Sequence, residues 1–348
     1  MATLNFLTKF SVAITATTAL GFFASSANAL SLTSSSGTWS NPVGGSNIKY
    51  QNVTTDTTQT TDLTLIEQAI KDKRYITKTT TETVTETTKV TTNTKDATTG
   101  NTSTTSTTSQ PSVVLNTTLT SEDIYNKNNA KNSKNKTTTT LLSSTTETLT
   151  ATENQVRWGQ DVGNGQSGLG FQGASGVDFD LNKVFQIGTL THYNNAIASG
   201  TAASKVDLGL NLNFSGLPVA SQTFNFSFNI DETPNVGRTS DCPYYSVSSC
   251  SDKITFSTPK NVNTFSLAGV DYTLQLVGFS ETPTSTPITN FISQEGGSNS
   301  AYLYAKITAV PPKRVPESSS ALGVVAFGAL AASSMLNQKQ RVKATAKV

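Results

Sequence analysis

The sequence predicts an all-β protein: an antiparallel β-sandwich, jelly-roll-like, with a long Thr-rich insertion and a hydrophobic helix at each terminus. Three observations predict it. First, "KVDLGLNLNF" places Val206, Leu208, Leu210, Leu212 and Phe214 on one face, and "TFNFSFNI" does the same with Phe224, Phe226, Phe228 and Ile230; a period of two marks a half-buried strand. Second, Gly, Pro, Asn and Asp turns separate many further short runs of this kind. Third, no long amphipathic helix lies between them, which points to sheet packed on sheet.

The elements follow in chain order. Residues 1–29 read as an export signal: Lys9 precedes the apolar stretch Phe10 to Ala24, which leads into Ala27-Asn28-Ala29, the small-x-small pattern cut by signal peptidases. The mature chain is expected to begin near Leu30. Residues 30–50 form the first strand region of the sandwich, with Trp39 of "SGTWSNPVGGSNIKY" as its core anchor.

Residues 51–154 are a Thr-rich, low-complexity insertion, with 11 threonines among the 18 residues from Thr77 to Thr94. So little apolar surface cannot offset chain entropy, so disorder or a loosely paired hairpin is expected. Leu63, Ile66 and Ile70 stand at helical spacing and allow a short helix, whereas β-branched Thr would permit an extended ribbon beside an accepting strand. A glycosylated stalk is the functional alternative.

Residues 155–310 carry the sandwich proper. Its runs include "KITFST", "TFSLAG", "YTLQLVGF" and "AYLYAKITAV". Residues 311–348 form a sorting tail. Within it Ala321 to Leu336 is a stretch of 16 apolar or small residues, about 24 Å as a helix against a roughly 30 Å hydrocarbon core. Lys339, Arg341 and Lys343 follow it on the side expected to stay cytoplasmic. Transient membrane association followed by removal suits such a segment, with an ordinary membrane helix as the alternative.

Composition narrows the function. The chain has 348 residues, 35% hydrophobic and only 14% charged, with a formal net charge of +2 and no basic stripe, so nucleic acid is not an expected partner. Cys242 and Cys250 form an even pair in an exported chain and are expected to be a disulfide, since the lone histidine, His192, supplies no zinc set with them.

Candidate chemistry is sparse. His192, with Thr191 or Ser199 as nucleophile, lacks an elbow or orienting acid, and a turn or inter-strand hydrogen bond in "THYNN" is its expected role. Asp178 with Asp180, and Asp231 with Glu232, offer too few oxygens for a calcium loop and read as solvated charges or Asx turns. "GNGQSG" (Gly163 to Gly168) matches a dinucleotide fingerprint but has no helix after it, so it is a glycine-rich loop. Ser133 to Lys136 fits Ser-x-x-Lys by chance. No catalytic residue, cofactor or metal is expected, and Tyr193, Tyr244 and Tyr245 are the aromatic candidates for carbohydrate.

Several separated motifs, "VRWGQDVGNGQSGLGFQG", "FQIGTLTHYNNAI", "FNIDETPN", "CPYYSVSSCSDKITFS", "DYTLQLVGFS" and "EGGSNSAYLYAKIT", together resemble the choice-of-anchor K domain of exported bacterial proteins. The resemblance covers Val156 to Thr308, with Gly37-Thr38-Trp39 as its first strand, and implies no catalytic activity. The tail "VPESSSALGVVAFGALAASSMLNQKQ" resembles the PEP-CTERM sorting signal: Pro316 and Glu317 match its motif, and Ser318 takes the third position. Cyanobacterial members have similar tails. This resemblance implies an exosortase-type processing enzyme as partner and a surface or extracellular destination. Together these readings give a surface-sorted, non-catalytic structural or binding protein of the envelope or of extracellular polysaccharide, with a secreted glycan-acting hydrolase as the alternative.

Overall fold

The computed structural model describes residues 30–69, 75–124, 136–216, 221–235, 238–256, 263–267 and 270–310. Its first strands are β1 (Leu30–Gly44), β2 (Lys49–Ala69), β3 (Tyr75–Asp96), β4 (Thr102–Thr108), β5 (Ser112–Ile124) and β6 (Lys136–Trp158). Next come β7 (Ser167–Gly173), β8 (Val177–Phe179), β9 (Val184–Asn194), β10 (Ala203–Ser215) and β11 (Ser221–Asp231). The chain continues through β12 (Asp252–Phe256), β13 (Asn263–Leu267), β14 (Val270–Ser280), β15 (Asn290–Ser293) and β16 (Gly297–Val310).

These strands make two antiparallel sheets. A six-stranded sheet runs β15-β12-β11-β10-β1-β8, and a ten-stranded sheet runs β13-β14-β16-β9-β7-β6-β2-β3-β4, with β5 also paired to β3. Their inward faces share one core, to which the first sheet gives Leu208, Leu210 and Phe228 and the second gives Leu169, Ile187 and Leu303. The alternation in β10 and β11 is as expected, with Val206, Leu208, Leu210, Leu212 and Phe214 buried, and likewise Phe224, Phe226, Phe228 and Ile230. Trp39 is buried in the core, and β1 pairs with β10 from Ser31↔Ser215 to Gly44↔Ala203.

The two sheets come into direct contact where β1 passes the end of β7. A Cβ on Gly173 would stand 1.7 Å from the Ser35 carbonyl oxygen, so only glycine fits there. Ser35 completes this contact by donating its backbone N–H to the Ala174 carbonyl at 2.9 Å and accepting the Ala174 N–H on Oγ at 2.8 Å.

The Thr-rich region corrects the expectation of disorder or a loose hairpin. Strands β2 and β3 pair without interruption from Lys49↔Asp96 to Ala69↔Ile76, and β2 pairs with β6 over the same length. Leu63 and Ile66 lie in this ladder opposite Glu82 and Thr79, not in a helix. The limits 51 and 154 fall inside β2 and β6, so the insertion continues the larger sheet.

Thr suits an extended backbone, and neighbouring strands supply the ladder that no local apolar cluster could. Hydroxyl pairs add to it, Thr58 with Thr148 at 3.1 Å and Thr60 with Thr146 at 3.2 Å. Only Glu153 to Trp158 of β6 pair with β7; residues 136–152 therefore run beyond the body as the edge of a ribbon. At about 3.3 Å per residue β6 is roughly 70 Å long.

Cys242 and Cys250 form the expected disulfide, with Cα atoms 5.2 Å apart. It closes a small loop after the 3-10 turn Thr239–Asp241. The Cys242→Ser, Cys250→Ser pair of changes is expected to cost about 2–3 kcal/mol, the loop-closure value for so short a ring, read by urea denaturation. The hydrophobic segments within 1–29 and at 321–336 lie outside the described residues. No helix among the described residues is long and apolar enough to cross a membrane.

Candidate functional site

At one end of the sandwich the apolar core gives way to a polar layer held between the sheets. The strand period produces it. In β11 the inward series Phe224, Phe226, Phe228, Ile230 continues one step further to Glu232, and in β12 the series Phe256, Ile254 runs back to Asp252. In β9, Leu190 is followed on the same face by His192 and Asn194, and in β15 Phe291 is followed by Ser293. His192, Asn194, Asp252 and Ser293 are each 0% exposed.

His192, Glu232 and Asp252 each offer a ligand atom within 4.8 Å of the others. The carboxylates come from the six-stranded sheet and the imidazole from the ten-stranded one. Glu232 is anchored by two donors: Ser167 Oγ reaches its Oε1 at 3.2 Å and Trp158 Nε1 its Oε2 at 3.4 Å. Asp252 Oδ1 accepts from the Thr233 N–H at 2.7 Å and from Thr233 Oγ1 at 3.1 Å, which fixes the carboxyl and leaves Oδ2 without a hydrogen bond. The disulfide loop leads straight into this strand, and the Cys250 carbonyl accepts from Thr233 Oγ1 at 3.1 Å.

His192 is the sharpest anomaly. The residue sits within strand β9, not in a turn, and its side chain makes no inter-strand hydrogen bond: neither Nδ1 nor Nε2 has a partner, and the ring lies stacked 6.4 Å from Trp158. Asn194 donates its amide to the Ser293 carbonyl at 3.0 Å, while Asn194 Oδ1 and Ser293 Oγ are also unpartnered. Both carboxylate oxygens of neighbouring Glu295 are unpartnered as well. Buried polar atoms left unpaired cost about 1–3 kcal/mol each, so seven together require a reason.

Electrostatics in the layer are one-sided. Burial, then the neighbouring Glu232 charge, pushes the Asp252 carboxyl up to about 8. Burial, then the Glu232 charge, likewise raises Glu295 to about 7. Glu232 is itself raised by burial. Burial, with the Arg157 charge second, pushes His192 down to about 3, so its imidazole is neutral with a free lone pair. Glu232 also lines an open cleft of about 370 Å³ with Ile197, Ser199, Thr233, Pro234 and Asn235, which leads from solvent to the layer.

The residues weighed from sequence fall differently. Asp231 and Glu232 part company because successive strand residues face opposite ways: Asp231 is outside, accepting from the Tyr244 hydroxyl, and Glu232 is inside. Asp231 is exposed, as a solvated charge should be, and the reading is corrected for Glu232 alone. Asp178 and Asp180 are exposed, away from the layer. Thr191 turns outward and pairs with Ser300 at 3.0 Å, so it cannot serve His192 as a nucleophile, and Ser199 stands in the cleft wall.

The glycine-rich loop caps Asp161, whose Oδ1 accepts from the N–H groups of Gly163 and Gly165 at 2.7 and 2.9 Å. Tyr193 is committed: its hydroxyl bonds Glu153 and Gln155, and the Arg157 guanidinium covers its ring at 3.4 Å. Lys253 covers Tyr244 at 4.4 Å, and Tyr245 is 79% exposed. Pro316, Glu317, Ala27 and Ala29 lie outside the described residues, as do residues 133–135.

A second feature sits where the ribbon leaves the body. Asn154, Asn52, Asn93 and Thr104 stand side by side across β6, β2, β3 and β4. Asn52 Nδ2 donates to Asn154 Oδ1 at 2.9 Å, and Thr104 Oγ1 donates to Asn93 Oδ1 at 2.7 Å. These side chains line a groove of about 610 Å³ with Tyr50 among its walls. Neither ladder nor buried layer was picked out from sequence, although extending the period of two past each apolar run reaches Glu232, Asp252 and Asn194. No family model matches the chain, and no curated protein matches it.

Proposed function

We propose that the chain is an exported, surface-sorted, non-catalytic β-sandwich protein, jelly-roll-like in its body, that binds extracellular polysaccharide or the cell envelope. On this reading the likeness to choice-of-anchor K domains describes the body, residues 1–29 direct export, and the tail is a sorting signal. The tail associates transiently with the membrane before an exosortase-type enzyme processes it next to Pro316 and Glu317. The observation that carries the binding role is the groove of about 610 Å³, whose amide and hydroxyl ladder offers a row of paired donors and acceptors beside an aromatic wall. The Asn and Thr ladder matches the hydroxyls of a glycan, and Lys95 in the groove wall adds a single cation beside it. The disulfide fits an oxidising compartment.

The glycan-hydrolase alternative needs two carboxyls open to one cleft. Asp252 is fully buried behind Glu232, which favours the non-catalytic reading.

Fractionation of cells and sequencing of both mature termini test the sorting claim, with a start near Leu30 and an end ahead of residue 321 expected. Intact precursor confined to the cytosol would sink it. For binding, Asn52→Ala combined with Asn93→Ala is expected to weaken retention on the producing cell's own polysaccharide about tenfold, the worth of one to two hydrogen bonds. Unchanged retention would remove the groove from the proposal.

A further inference from the structure

The buried layer is independent of the groove and of where the protein is sorted. Its composition is unusual for a structural core. A neutral imidazole with two free nitrogens, a carboxylate oxygen held at a fixed angle by its partner's hydrogen bonds, and a second carboxylate anchored by Trp158 and Ser167 converge from two sheets. Buried carboxyls normally find a cation, yet the charges acting on Asp252 are those of Glu232 and Glu295, both of its own sign. Arg157, the cation that acts on His192, is turned to the outer face with its guanidinium on the Tyr193 ring.

We infer that His192, Glu232 and Asp252 form a binding site for one divalent first-row transition cation, which pins the two sheets together at this end of the sandwich. The mutual spread of the three ligand atoms, within 4.8 Å, is slightly wider than a bound ion would leave them. Tetrahedral metal–ligand distances of about 2.0–2.2 Å bring ligand atoms to within about 3.3–3.6 Å of one another, a contraction of roughly half an ångström or slightly more per side chain. Asn194 Oδ1 and Ser293 Oγ are unpartnered in the same layer. The donor set selects the ion: an imidazole with carboxylates suits Zn²⁺ or Mn²⁺, whereas Ca²⁺ takes six to eight oxygens and has no use for a nitrogen. The anchoring bonds to Glu232 and Asp252 orient the ligands as outer partners do in known metal sites. Glu232, which lines the cleft of about 370 Å³, gives the ion its way in.

The test uses the full chain after chelation and dialysis, titrated calorimetrically with ZnCl₂, MnCl₂ and CaCl₂ at pH 7.5, with melting followed in parallel. One equivalent of Zn²⁺ or Mn²⁺ should bind at micromolar concentration or tighter and raise the melting temperature. Asp252→Asn keeps the Thr233 hydrogen bonds and the side-chain shape; it should weaken binding at least 100-fold, beyond the 10–100-fold that loss of a mere outer partner costs. Glu232→Gln should do the same, and both variants should still melt cooperatively, which separates a lost ligand from a lost fold. Absence of saturable binding by the folded protein, wild-type affinity in both variants, or tighter binding of Ca²⁺ than of either transition ion would each overturn the assignment.

Discussion

Phe228→Ala is expected to lower the stability of the folded chain by about 3–5 kcal/mol, the range for emptying a fully enclosed aromatic site. Phe228 is 0% exposed at the centre of β11. Its ring meets Trp39 at 5.9 Å, Phe256 at 6.3 Å and Phe279 at 6.3 Å, so it touches both sheets and its own neighbour in β12. The lost transfer energy is one part of the cost. The other is the cavity, which cannot collapse because the surrounding rings are fixed by strands paired on both sides. Urea denaturation should show a lower midpoint at an unchanged slope. Tyr245→Ala, at 79% exposure, is the control and should shift stability by no more than about 0.5 kcal/mol. A Phe228→Ala cost below about 1 kcal/mol would mean that the two sheets do not share this core.

Much of the body was legible because its apolar runs alternate strictly. Val206 to Phe214 and Phe224 to Ile230 can be buried on one face only if they are strands, and a register slip of one residue would expose all of them. Trp39 was legible too, as a large ring in an otherwise small-residue stretch. The ribbon was not, for a physical reason. Thr77 to Thr94 holds almost nothing to bury, so its order comes from backbone ladders with β2 and β5 and from hydroxyl pairs, and neither leaves a hydrophobic pattern in the sequence. Low complexity and regular strand are compatible when a neighbouring strand already projects from a folded body, as β2 and β6 do.

The buried layer was missed for the opposite reason. Asp252 and Glu232 sit at the ends of apolar runs, where acids ordinarily mark a turn, and only the continuing period places them inside. Asp231 and Glu232 look alike as neighbours in sequence; one step of the pleat gives them opposite surroundings.

In chelator, the metal-free protein should lose stability as pH rises from 5 to 8, opposite to the usual behaviour of a protein whose carboxylates are ion-paired. The groups facing one another are Asp252, Glu232, Glu295 and His192, with Arg157 acting on His192 from the outer face. Asp252 at about 8 and Glu295 at about 7 lie above their unfolded values, so through this window the unfolded chain holds fewer protons than the folded one. Stability contributed by these protonated carboxyls is complete below about pH 4 and is lost as pH climbs through the folded values.

His192, at about 3 in the folded state, acts in the other direction, gaining stability as pH rises to its ordinary value near 6.5 and nothing beyond. Above pH 6.5 the carboxyls therefore act unopposed, and the decline should be steepest near pH 6.5–7, on the order of 1 kcal/mol per pH unit from Asp252, with half-exposed Glu295 adding less because solvent screens it. Asp252→Asn removes the largest contributor while keeping an acceptor for Thr233. In chelator at pH 8 it should melt above the unmodified protein, and near pH 4 the two should coincide. A metal-free melting temperature that rises from pH 6.5 to 8, or an Asp252→Asn variant that melts lower at pH 8, would show that Asp252 is ionised and paired in the fold and that the layer is not the one-signed cluster its geometry implies.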